Sequence, residues 1–305
     1  MHKKSFPFII IISILAACSA GGAEGAHKKT VRVAYLPITH SLAVMLMEDV
    51  ASADADYKVE LHRFTSWQEI VEALRTKRVD GASVLFEVAL RARETDRELR
   101  LHSLSHRGGN VIVVANGIES YRDLIGRNVA IPHRLSPQHT LLKSVLEREG
   151  IAPSEINIIE LSPAEMPFSM ASGSISAYVV AEPWGTVAES NGAGRIIEAS
   201  GGVCCVLAFN EGVFEGEPLL EAKLLEWFNA AAEVADEKGE RAVECLKYHS
   251  SFSETVIRES IHKTDYSELA LSKEEYDRVT AAALKYDTLR YIPPYEGFVL
   301  GGAYD

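Results

Sequence analysis

From Thr30 onward the chain alternates short β-branched runs with helical ones, and that beat restricts it to an α/β architecture with largely parallel strands. Residues 31–35 read as a strand, followed by an apolar helix near 42–50 and a second strand at 59–64. Ser66 then opens a helix, with Glu69 three residues on and an apolar stripe at Ile70, Val71 and Leu74. That is a capping box leading an amphipathic run. Residues 79–84 return as a strand. The beat recurs with strands at 111–115, 128–131, 156–161 and 177–181. Between them, Ser136 is a strong N-cap, Pro137 suits the first helical position and Gly150 lies just past the end, which predicts a helix over 137–149. Ser162-Pro-Ala-Glu165 is a second capping box.

The two stretches repeat each other. A shift of 96 residues lays Ser66 and Glu69 on Ser162 and Glu165, Leu74 on Met170, Val79 on Ile175 and Val84 on Val180. Two related lobes are the simplest account. A further strand is expected at 203–209. The chain is helical from Leu219, with helices over 219–238, 242–248 and, capped by Ser272 with Glu275, up to Tyr286. The segment 291–305 reads as a surface-packed loop.

The first eighteen residues stand apart. His2, Lys3 and Lys4 precede an apolar stretch from Phe6 to Ala17, too short to span a bilayer core. It ends in Leu15-Ala-Ala-Cys18, which resembles a bacterial lipobox. Residues 1–17 are therefore expected to be a lipoprotein signal peptide, and 18–30 a lipidated Cys18 with a flexible tether. Loss of Lys3 and Lys4 takes the net charge from −12 to −14. No Lys/Arg block exceeds two residues, which disfavours nucleic acid, or a membrane contacted other than through the lipid, as a partner.

Three cysteines remain in the mature chain: Cys204, Cys205 and Cys245. Adjacent cysteines rarely bridge each other, so buried free thiols or one bridge to Cys245 are the readings left open. There is no phosphate-binding glycine loop, no G-x-S-x-G and no H-E-x-x-H. Asn191-Gly-Ala-Gly194 reads as a turn. His102 and His106 share a face only on a helix, and their surroundings read as strand or loop, so no metal pair is expected there. No metal or cofactor is assigned. The strand-to-helix turns, by contrast, are rich in hydroxyls, imidazoles and indoles. In open α/β sheets such turns bind ligands, and helix N-termini attract anions without any basic side chain. The expected ligand-binding residues are Thr39, His40, Ser66, Trp67, Phe86, Ser136, Gln138, His139, Glu182 and Trp184. Glu182 bears on ligand class, because a bare carboxylate facing the cleft would repel a simple anion.

The segments Ala34-Tyr-Leu-Pro-Ile-Thr39, Glu69-x-x-x-Ala-Leu74 with Val79-Asp80, and Ile131 to His139 carry a resemblance. So do Ala181-Glu-Pro-Trp184 and Cys204-Cys-Val-Leu207. Together they resemble the nitrate/sulfonate/taurine-type solute-binding proteins of bacterial ABC importers, relatives of thiamine-precursor-binding proteins, over nearly all of 30–290. The resemblance implies a two-lobed, type II periplasmic-binding-protein-like fold. Each lobe would be a mixed, mostly parallel sheet flanked by helices, with the ligand cleft between lobes. It places lobe I at 31–108 and 205–305, and lobe II at 109–204. The implied function is capture of a small polar solute, anionic or zwitterionic, by a monomeric non-enzymatic protein anchored outside the cytoplasm. The solute would pass to the permease and ATPase subunits. A sensory ligand-binding module and a pyrimidine-metabolism enzyme on the same fold are the alternatives. Two positions depart from the family pattern: Lys77 or Arg78 replaces the Gly after the Ala-Leu helix, and Ser176 the second-lobe Asp.

Overall fold

A computed structural model describes residues 28–300, so the lipobox and tether lie outside the described residues. The chain runs β1 (Lys29–Tyr35), α1 (Leu42–Ala51), β2 (Tyr57–Arg63), α2 (Trp67–Arg75), β3 (Gly81–Leu85), α3 (Phe86–Thr95) and β4 (Leu99–Leu104). It crosses through β5 (Arg107–Gly108) to β6 (Asn110–Ala115). There follow β7 (Asn128–Ile131), α4 (Pro137–Arg148), β8 (Asn157–Glu160), α5 (Met166–Ala171), β9 (Ala177–Ala181), α6 (Trp184–Ser190) and β10 (Gly194–Ser200). It returns along β11 (Cys205–Asn210) and ends in α7 (Leu220–Asp236), α8 (Glu240–His249), α9 (Glu254–Ile261), β12 (Thr264–Asp265) and α10 (Lys273–Lys285).

Two five-stranded sheets result, ordered β2-β1-β3-β11-β4 and β10-β6-β9-β7-β8. The strand that arrives by a crossing, β11 in the first and β6 in the second, pairs antiparallel with both neighbours. The other strands of each sheet point one way, so the sheets are mixed but mostly parallel. Counted from its first strand, each sheet has the same order. The 96-residue repeat therefore extends beyond its capped helices to α3-β4 and α6-β10.

Burial explains why the strands read as unbroken apolar runs rather than alternating ones. Val111, Val113, Ala130, Tyr178 and Val180 face α5 and α6, while Ile112, Val114, Val129, Ile131 and Val179 face α4. The first sheet shares one larger core with α1, α7 and the C-terminal helices, which includes Trp67 and Trp227. Among the described residues, no helix is long and apolar enough to cross a membrane.

Several expectations need correction. Residues 191–194 form a turn, but Gly194 begins β10 along the edge of the second sheet. Residues 292–300 are docked rather than laid on the surface: Phe298 is buried, Val299 bridges Leu101, and the Pro293 carbonyl accepts from the Tyr276 hydroxyl. Of the two readings of the cysteines, free thiols hold: all three described cysteines are free, Cys204 and Cys205 buried and Cys245 partly so.

Candidate functional site

The two crossings and the first turns of α1, α3, α4 and α6 meet in a buried seam between the sheets. Thr39 ties the lobes together there. Its backbone N–H and its Oγ1 both donate to the Glu182 carbonyl, the latter at 2.9 Å, while it accepts from Thr264 Oγ1 and Tyr266 OH. Gly109 has a φ of +73°, and a Cβ there would stand 2.7 Å from both His40 Nε2 and Thr264 Oγ1. Only glycine lets the first crossing pass this close to the imidazole.

Deeper in the seam lies a cluster from three distant places in the chain. His40 precedes α1, His106 lies on the first crossing, and Cys204 and Cys205 lie on the second. The His40 and His106 rings stack with centroids 3.7 Å apart. Cys204 Sγ lies 3.5 Å from His40 Nδ1 and 3.7 Å from Cys205 Sγ; Cys205 Sγ lies 3.8 Å from His40 Nδ1. From the second lobe, Gln138 Nε2 donates to Asn110 Oδ1 at 2.7 Å and touches Cys204 Sγ. Glu87, in the first turn of α3, faces Thr140 of α4.

Burial governs the charges. It opposes ionisation of both thiols, but the neighbouring Cys205 S–H and the His40 imidazole hold the Cys204 thiol well below its ordinary value. Cys205, buried and facing Cys204, is pushed up. Burial and the adjacent His40 ring lower His106 to about 4, and burial raises Glu87 to about 8. Both are therefore neutral at pH 7. Glu182 is fully buried, yet its charge is answered: Lys263 Nζ lies 3.1 Å from Oε1, and the Thr186 N–H donates to Oε2. The carboxylate belongs to the start of α6 and to a bridge toward α9, not to an open wall of the cleft.

Buried polar atoms usually have partners. Here His40 Nε2, both His106 nitrogens, Gln138 Oε1 and Glu87 Oε2 have none among the described residues. A cavity of about 180 Å³ opens toward the rim of the seam, lined by Leu36, Ile38, Phe64, Trp184 and Phe252 with Arg63, Thr65 and Ser250. Trp184 meets Phe252 edge-on at 4.7 Å. A smaller groove of about 130 Å³ sets Ser66 and Trp67 against Pro132 and Pro163 of the facing lobe.

The structure thus brings Thr39, His40, Gln138 and Glu182 together in the seam, with Trp184 toward its rim. Phe86 backs the cluster: its N–H donates to the Cys204 carbonyl, and its ring packs edge-on to Tyr276. Ser66 and Trp67 sit apart in the smaller groove. Ser136 is occupied as a cap, accepting from His139 N–H and donating to the His133 carbonyl. His139 turns to its own loop, with Nδ1 2.8 Å from the Arg134 carbonyl, and burial lowers its pKa, so it adds no cationic charge to the start of α4. The sequence reading missed His106, Cys204 and Cys205 as seam residues, and Glu87, Asn110 and Lys263 with them. His102, four residues from His106, packs instead on Phe209 and approaches Glu221.

The fold matches known structures closely. The ligand-binding component of an ABC-type import system from Staphylococcus aureus, crystallised with zinc bound, superposes with a TM-score of 0.84 at 27% identity, covering 91% of this chain and 98% of that one. The periplasmic nitrate-binding protein NrtA of Synechocystis shares the fold at a TM-score of 0.76 and 14% identity, covering 86% and 83%. In sequence, the taurine-binding periplasmic protein of Escherichia coli is 26% identical over 58% of this chain and 56% of its own length. The chain spans no more than about three-fifths of the curated relatives it matches. The sequence profile of the NMT1-like family matches residues 24–246, and the chain belongs to that family.

Proposed function

We propose that this chain is the extracytoplasmic solute-binding subunit of an ABC importer, lipid-anchored through Cys18, that captures a small anionic or zwitterionic solute and hands it to a permease. The observation that carries the reading is the seam. Two lobes of matching topology aim the first turns of α3, α4 and α6 at a junction that holds unpartnered buried polar atoms. A neutral Glu87 and a Glu182 paired with Lys263 present no net repulsion to an anion. The rim cavity, apolar with one guanidinium and several hydroxyls, suits a small acid with a short carbon body. Taurine and nitrate binding by the relatives supports the same solute class. The moving units in this reading are 31–108 with 205–305, and 109–204, linked by the two crossings.

A thermal-shift screen of the mature chain against taurine, alkanesulfonates, nitrate and bicarbonate tests the solute class. A ligand at 100 times its dissociation constant adds about 2.7 kcal/mol of stability. The zinc of the staphylococcal protein supports adding divalent metal ions to the screen. No shift with any small anion or zwitterion would end the solute reading. The anchor is tested separately: Cys18→Ala should leave the protein out of the membrane fraction, because durable anchoring takes two acyl chains.

A further inference from the structure

We infer that His40, His106, Cys204 and Cys205 form a binding site for one thiophilic divalent metal ion of the zinc class. The nearest donor atoms of all four residues lie within 4.8 Å of one another, and all four residues are buried. Among Cys204, Cys205 and His40 the spacing is that of a coordination shell, with His106 alongside. With zinc–sulfur bonds of about 2.3 Å and zinc–nitrogen bonds of about 2.05 Å, tetrahedral geometry separates two sulfurs by about 3.8 Å and a sulfur from a nitrogen by about 3.6 Å. The observed separations are 3.7 Å between the sulfurs, and 3.5 and 3.8 Å from the sulfurs to His40 Nδ1.

The donor chemistry agrees. Thiolate with imidazole selects zinc-like ions over magnesium or calcium, which take oxygen ligands. Two thiolates and two neutral imidazoles carry a charge of −2, so a divalent ion makes the buried unit neutral. Any net charge left there would be costly. Binding releases the two thiol protons to solvent, with no change of oxidation state. The ion also supplies a partner for one His106 nitrogen, where neither nitrogen has one in a fully buried position.

The placement has a mechanical consequence. One ligand sits at the start of α1 and the other three on the two crossings, so the ion fastens both crossings to the first lobe. Gln138 Nε2 then lies against the Cys204 sulfur, where its N–H can brace the thiolate from the second lobe. This site stands on its own donors and does not depend on the importer reading.

The full chain, reduced and stripped with a chelator, is titrated with Co2+ and then Zn2+. One equivalent of Co2+ should give intense visible bands of a tetrahedral ion together with a thiolate-to-cobalt charge-transfer band. One equivalent of Zn2+ should erase both. The Cys204→Ser, Cys205→Ser double variant should lose the charge-transfer band. It should also bind Zn2+ at least about 100-fold more weakly against a chromophoric chelator, since outer-shell changes alone cost 10–100-fold. Cys245→Ser and His102→Ala should match the parent. Should the double variant fail to fold by circular dichroism, the parent's cobalt spectrum decides. A weak, octahedral cobalt spectrum in the parent, or unchanged zinc affinity in a folded double variant, overturns the site. If that happens while taurine or another anion still shifts the melting point, only the metal inference falls.

Discussion

Glu87 shows how burial sets the electrostatics of the seam. Its carboxyl is pushed up to about 8 because burial strips it of water, and its own backbone N–H and Thr140, at 3.4 Å, answer it only in part. In the unfolded chain the same group titrates near 4.5. Between those values the unfolded state gives up a proton that the folded state keeps, so stability falls as pH rises from about 4.5 to about 8 and levels above. Glu87→Gln should remove that slope. Urea titrations at pH 5 and pH 8 should show variant and parent close at the lower pH and the variant ahead by a few kcal/mol at the higher; parallel curves would mean an ionised Glu87. Lys77 makes a different residue-scale point. It sits at φ +53° just past α2, where Lys77 and Arg78 N–H close a Schellman turn on Leu74 and Ala73. The family's Gly belongs at this turn for that reason. Lys77→Gly should raise the unfolding free energy by about 0.5 kcal/mol. Relief of left-handed strain outweighs glycine's backbone entropy, and the lost surface pair with Glu98 is worth little. A shifted urea midpoint with unchanged slope is the expected signature. The His–Cys cluster was illegible at this scale. His40 and Cys204 are 164 residues apart, and no local spacing announces a site assembled by two crossings.

Among the elements, capping chemistry made α2, α4 and α10 legible and apolar runs sufficed for the uncapped α1, α7 and α8, whereas α9 was not singled out despite its cap. Ser66 accepts from the Glu69 N–H while the Glu69 carboxylate reaches back to Ser66 N–H, and Ser136, Ser253 and Ser272 each cap their helices. By contrast, α3 follows directly from β3, and α6 follows Pro183, neither with a side-chain cap. Packing starts α3, and at α6 the Glu182 carboxylate accepts from the Thr186 N–H from outside the usual cap position, so no standard capping pattern marks either boundary. Nor is the start of β10 marked, whose first residue, Gly194, presses against the Val114 carbonyl and leaves no room for a Cβ. A turn composition there conceals an edge strand. For α4 the cap has a measurable worth. Ser136→Ala removes one of the two acceptors of the buried His139 N–H, leaving the Ser136 carbonyl, and takes the hydroxyl donor from the half-buried His133 carbonyl. The expected loss is about 1–2 kcal/mol by urea denaturation. Because the hydroxyl is spent on the cap, solute affinity in the variant should stay near that of the parent. A large affinity loss without a stability loss would return Ser136 to the ligand shell.

At the scale of the whole molecule, the repeat was legible because both halves cap a helix before a buried strand. What the sequence did not reveal is that each half lends the other its reversed strand. Those exchanged strands make the two crossings short and load them with His106, Cys204 and Cys205. In the importer reading proposed above, such a molecule opens by bending at the crossings, as hinge-closing proteins do. The tryptophans then divide by location. Trp227 lies in the core on α7 near Tyr57, and Trp67 is 2% exposed within the same core, with one edge in the smaller groove. Trp184 is half-buried in the wall of the rim cavity against Phe252. A solute that closes the lobes changes the water around Trp184 most, around Trp67 less, and around Trp227 not at all. Ligand should therefore shift the intrinsic fluorescence of the parent and of Trp227→Phe alike. Trp184→Phe should abolish most of the shift, and Trp67→Phe should trim it. The spectra need no activity assay, and they discriminate sharply. A response lost in Trp227→Phe and kept in Trp184→Phe would move the binding event out of the seam and into the C-terminal helices.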